Sequence, residues 1–155
     1  MTERAILLVV LLAGGLALAC NRTVPAAAGS TEMSHAVVDP YLKVAEALAS
    51  DKVDGVRANA GDIATAATRL GGLAFKIDTA ALQLASADDL EDARAKFGVL
   101  SEAIDAYMAG QHLTPPEGIR VAFCPMVLKP WLQPDGELRN PYHGSQMLTC
   151  GSFRN

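Results

Sequence analysis

The feature that most constrains this chain is a change of character at Gly110. Before it, apolar residues recur at steps of three and four, the period of a helix with one buried face. "DPYLKVAEALASDK" puts Leu42, Ala45 and Leu48 on one face, with Asp39 placed as an N-cap and Pro40 at the first helical position. From Asp51 onward, Val53, Val56, Ala60, Ile63, Ala67, Leu70 and Ala74 continue the pattern, and Gly71-Gly72 marks a bend or an end. "DTAALQLASA" adds a short helical piece. Leu90, Ala93, Phe97, Leu100, Ile104 and Tyr107 form a longer stripe, which opens on Ser86 and Asp89 in the spacing of a capping box.

After Gly110 the pattern stops. "HLTPPEG" is a breaker and "IRVAF" suits one short strand. Pro125, Pro130, Pro134 and Pro141, with Gly136, Gly144 and Gly151, then exclude a long helix. Aromatic residues make up only 5% of the chain and alanine is abundant, which favours closely packed helices over a sandwich. The expected fold class is all-α: an antiparallel bundle of three to four helices with an irregular, Pro/Gly-rich C-terminal segment packed on it.

The N-terminus has a different logic. Arg4 precedes an uninterrupted apolar and glycine run from Ala5 to Ala19, shorter than the roughly 20 apolar residues of an ordinary membrane span. The run ends at Cys20, and "ALAC" resembles a bacterial lipobox. Residues 1–19 therefore read as a lipoprotein signal peptide with Cys20 as the lipid attachment point, residues 20–38 as a flexible tether, and 39–152 as a single domain. That organisation implies a membrane partner through the lipid anchor. It places the protein on the periplasmic side of the envelope, at the outer membrane in a Gram-negative cell. The net charge of −4 comes with no basic block, which argues against nucleic acid as a partner.

With Cys20 on lipid, Cys124 and Cys150 remain, each beside a methionine. Cys124 and Met126 in "FCPM" are two apart, so an extended segment points both sulfurs the same way. Met147 and Cys150 in "QMLTCG" are three apart, so one helical turn does the same. Together the four supply two thiolates and two thioethers, a soft donor set suited to Cu(I). His143 is a candidate further donor. Trp131, the only tryptophan, is a candidate either for a cation site or for anchoring the irregular segment. The same two cysteines are equally the default disulfide of an exported protein, and closing their loop would stabilise the fold by about 3 kcal/mol. Both readings stay open on spacing alone.

"RVAFCPM", "WLQPDGELRNPYHG" and "QMLTCG" resemble the C-terminal signature of a bacterial exported domain family of unknown function. That family also occurs beside the periplasmic adaptor proteins of copper and silver efflux pumps. "DARAKFGVLSEAI" is similar to the family's preceding helix. The resemblance spans roughly residues 41–152 and implies a Cu(I) or Ag(I) context, with a metal-efflux adaptor as a candidate partner. "FCPM" also resembles the start of a short heavy-metal motif, with Val127 where that motif has histidine. No nucleophile elbow, zinc-protease motif or phosphate loop is present, and the acidic residues Asp88 to Asp92 suit a helix start, so no enzyme is expected. The alternative to a metal-binding lipoprotein is a disulfide-stapled interaction module with no metal.

Overall fold

The computed structural model describes residues 31–154. Four helices come first: α1 (His35–Ala49), α2 (Val56–Leu70), α3 (Phe75–Ala85) and α4 (Leu90–Gln111). Three strands follow: β1 (Ile119–Cys124), β2 (Lys129–Pro134) and β3 (Ser152–Phe153). The signal segment and Cys20 lie outside the described residues.

The helical stripes behave as the periodicity predicts. Val56, Ala60, Ile63 and Ala67 are buried on α2, and Ala93, Phe97, Leu100 and Ile104 on α4. Several boundaries shift. Ser34 caps α1 and Asp39 lies inside it. The fold reaches back to Met33, which is fully buried, and a parallel bridge joins Glu32 to Thr114. Gly55 stands at the N-cap of α2 with φ 77°, so Val53 falls outside the helix and is exposed. Asp89 caps α4 by accepting from the amide of Asp92, and His112 at φ 55° ends it.

The expectation of an all-α bundle is overturned by an antiparallel sheet of order β2-β1-β3. α2 packs on α1 and α3, and α3 on α4; β2 then lies against both α4 and α1 and completes the enclosure. The fold is therefore a mixed helix-and-sheet domain rather than a helical bundle.

Prolines hid the second strand. Pro130 and Pro134 in "KPWLQP" argue against a strand interior. In the register, Phe123 pairs with Pro130, Val121 with Leu132 and Ile119 with Pro134. The Val121 carbonyl accepts from Arg154 on the β3 side, and the Leu132 amide donates to the Tyr41 hydroxyl at 3.3 Å. At this pair, then, both backbones point away from the β1–β2 ladder. By alternation the same holds at Pro130 and Pro134, where a missing N–H costs the ladder nothing. Two prolines and one occupied amide thus close the free edge of β2. The Tyr142 hydroxyl donates to the Pro130 carbonyl on that edge.

An aromatic chain ties the layers together. Tyr41 of α1 stacks on Phe97 of α4 with ring centroids 4.9 Å apart, Phe97 meets Tyr142 at 5.8 Å, and Tyr142 meets Trp131 of β2 edge-on at 6.1 Å. The Tyr41 hydroxyl is 2.7 Å from the Ser101 hydroxyl while accepting from Leu132, so one buried oxygen joins α1, α4 and β2. Burial pushes the Tyr41 and Tyr142 phenols far above their ordinary range.

Replacing Tyr41 by phenylalanine should keep the fold and cost about 1–3 kcal/mol, because the buried Leu132 amide and Ser101 hydroxyl lose their partner. Chemical denaturation measures this. A cost below about 0.5 kcal/mol would show that the hydroxyl is not the tie.

Candidate functional site

The sheet presents Ala122, Cys124, Trp131 and Gln133 on one face, by strand alternation and register. The segment 137–151 covers that face. Gln133 accepts from the Trp131 indole and from the Arg139 amide, both at 3.0 Å, and donates to the Glu137 carbonyl at 2.9 Å. At the far end of the cover, Gly151 has φ 145°, and a Cβ there would come within 2.6 Å of the Trp131 ring. A side chain at 151 would therefore push the preceding residue, Cys150, off the sheet.

Asn140 positions that cover from the inside. It is fully buried, and its side chain donates to the Cys150 carbonyl at 2.7 Å and accepts from the Tyr142 amide at 2.8 Å. Its own amide donates to the Leu148 carbonyl at 2.7 Å, and its carbonyl accepts from Gly144 at 3.0 Å. One residue thus folds residues 140–150 back on themselves. "NPYHG" announces a turn, but nothing local indicates that its asparagine holds a cysteine ten residues on.

A second clamp fixes the cover to the helices. The Arg94 guanidinium donates to the Pro141 carbonyl at 3.1 Å, to the Leu48 carbonyl at 2.8 Å and to Asp51 at 2.5 Å. Asp51 also accepts from the Ser145 amide at 3.2 Å. Hydrogen bonds from Ser145, then from Arg94, hold the Asp51 carboxyl down to about 2 from its ordinary 3.8. Gly144, at φ 54°, lies directly under this clamp; a Cβ there would collide with both Arg94 and Asp51.

This scaffold brings Cys124 and Cys150 together. Cys124 is completely buried, Cys150 is half-buried, and both are free thiols. Burial pushes the Cys150 thiol up, and the neighbouring Cys124 sulfur, in hydrogen-bonding reach, pushes it further. Met147 is half-buried in the same turn as Cys150, whose amide donates to the Met147 carbonyl at 3.0 Å. Met126 is placed differently. It stands in the β1–β2 turn, 64% exposed, outside the buried layer that holds Cys124.

Trp131 is an anchor, 1% exposed, with its indole nitrogen bonded to Gln133. His143 is half-buried, and its Nε2 has no hydrogen-bond partner among the described residues. Among the described residues no group of three or more His, Cys, Asp and Glu side chains comes together, so His143 does not join the two cysteines. Among the same residues no helix is long and apolar enough to cross a membrane. Comparison with protein-family models, curated proteins and solved structures found no match.

Two expectations follow. An Asn140→Ala variant should lose about 2 kcal/mol or more, because it leaves the Cys150 carbonyl and Tyr142 amide unpaired. Cys150 should at the same time react faster with a thiol reagent; unchanged stability and reactivity would remove Asn140 from the scaffold. The Asp51 clamp gives a pH signature. Its folded pKa is depressed, so its stabilisation is complete above about pH 4 and lost as pH falls towards about 2. Asp51→Asn should lower the urea midpoint at neutral pH, and the gap to wild type should close between pH 4 and 2. A gap that is constant with pH would show that the carboxylate charge is not involved.

Proposed function

We propose that this chain is an envelope-anchored lipoprotein that binds a soft metal ion, Cu(I) or Ag(I), through cysteine and methionine sulfur and serves metal homeostasis or efflux. The observation that carries this reading is the adjacency of the Cys124 and Cys150 thiols, brought together from opposite ends of the C-terminal segment. A structural zinc site takes four ligands, and no third His, Cys, Asp or Glu joins this pair among the described residues. Cu(I) accepts two or three soft donors, which two thiolates and a thioether supply. Met147 would supply a thioether from the Cys150 turn, and Met126 would join from the hairpin tip. Both thiols must lose their protons to bind, and burial makes the Cys150 proton harder to remove than in a free thiol.

The remaining parts of the reading rest on sequence. The apolar run ending at Cys20 supports lipid attachment, a membrane-tethered periplasmic location and, in a Gram-negative cell, the outer membrane. The likeness of the C-terminal motifs to the exported family found beside copper and silver efflux adaptors supports such an adaptor as the partner.

The same adjacency favours one second reading, in which the pair is oxidised to a disulfide that staples an interaction module. A loop of about 25 residues is then closed, worth about 3 kcal/mol. The methionines separate the two. Under reducing, oxygen-free conditions, wild type should compete with a Cu(I) chelator. Cys150→Ser should weaken it by about 100-fold or more, and the M126L/M147L pair by about tenfold or more, since losing a ligand costs at least what losing an outer partner costs. The fold of the methionine variant should persist, because leucine conserves volume. Equal affinity in wild type and M126L/M147L would remove the methionines from the site. No competition by the reduced wild type would leave the disulfide-stapled module.

A further inference from the structure

A second recess lies between α1 and the closed edge of β2, with an accessible volume of about 340 Å³. Its floor is Leu42 and Ala45 of α1 facing Leu132 and Pro134 of β2, and its far wall is the returning loop from Asp135 to Arg139. We propose that this recess binds a small aliphatic cation, with the apolar body between α1 and β2 and the ammonium head at Glu137. The proposal is independent of the metal reading.

Preformation is the first argument. The loop is pinned to Gln133, which is 5% exposed and has all its hydrogen-bonding capacity in use. Its oxygen accepts from Trp131 and Arg139, and its nitrogen donates to the Glu137 carbonyl at 2.9 Å and to the Pro134 carbonyl at 3.3 Å. The wall therefore stands without a ligand, and the volume falls in the range of about 300–1,000 Å³ usual for small-molecule sites.

The closed strand edge is the second argument. A peptide that bound here by adding a strand would need free backbone donors on β2. Pro130 and Pro134 have none, and the Leu132 amide is taken by Tyr41. An occupant must instead fill the recess with apolar volume.

Charge selects the head group. Among the described residues Arg139 is the only cation on the lining, and Glu46 holds it in a two-pronged ion pair at 2.8 Å on both contacts, with the Ser50 hydroxyl adding a third. An anion would have to displace Glu46. Of the two other rim acids, Asp135 is 3.6 Å from Arg120, and the Glu137 carboxylate has no hydrogen bond or ion pair among the described residues. The uncompensated charge at the mouth is negative, so the complementary ligand carries an apolar chain and a positive end.

The test uses hexylammonium, hexanol and hexanoate as probes of equal chain length against the wild-type protein, followed by amide chemical shifts. Hexylammonium should perturb the amides of Leu132, Gln133 and Glu137, and hexanoate should not bind. Glu137→Gln should weaken hexylammonium by about two- to fivefold, the range expected for losing one exposed ion pair. Glu137→Lys should abolish the preference for the cation. Glu137 is exposed, so both variants should fold. An Ala45→Leu variant fills the floor and should block hexylammonium. Equal binding of hexanoate and hexylammonium, or cation binding unchanged in E137K, would overturn the charge assignment. No perturbation of these amides by any probe would overturn the site.

Discussion

One buried hydroxyl organises this domain. Tyr41 leaves α1, stacks on Phe97 of α4, and ends on an oxygen shared between Ser101 of α4 and the Leu132 amide of β2. Helix stripes alone would let α1 and α4 slide past each other, since apolar contact has little direction. A hydrogen bond with two partners on different elements fixes their relative height. The same oxygen occupies the amide that would otherwise leave an open strand edge, a hazard for aggregation. Stacking, layer registration and edge protection therefore meet at a single side chain.

That arrangement also makes the candidate site possible. With β2 held against the helices, the C-terminal segment folds over its Trp131 and Gln133. Asn140 turns the segment from within, and Arg94 clamps it from α4. Cys150 arrives beside Cys124 because these supports agree. On the function proposed above, this dithiol exchanges its protons for a soft metal; on the second reading it gives up electrons to form a disulfide.

The sequence was informative where one period governs burial. The buried faces of α2 and α4 follow from spacings of three and four, because a helix repeats its environment every turn. α3 was harder to see: of its residues only Ile77, Ala80, Ala81 and Leu84 are buried, while Phe75 and Leu82 are exposed and blur the stripe. The sulfur pairs were legible as motifs, and Cys124 and Cys150 do come to lie beside each other. Met126 shows the limit of that reasoning, because strand alternation ends at Cys124 and the turn that follows carries the next side chain outward.

By itself, then, the sequence determined the helices, the break after Gly110 and which residues bear sulfur, since each depends on neighbours within a turn or two. Only the tertiary structure decided that "KPWLQP" is a strand, that the domain is mixed helix and sheet, and that an asparagine holds a cysteine in place. Prolines are compatible with a strand only when their nitrogens face away from the ladder. That depends on register with β1 and on Tyr41, which lies 91 positions from Leu132 in the chain. No local pattern records a partner at that distance.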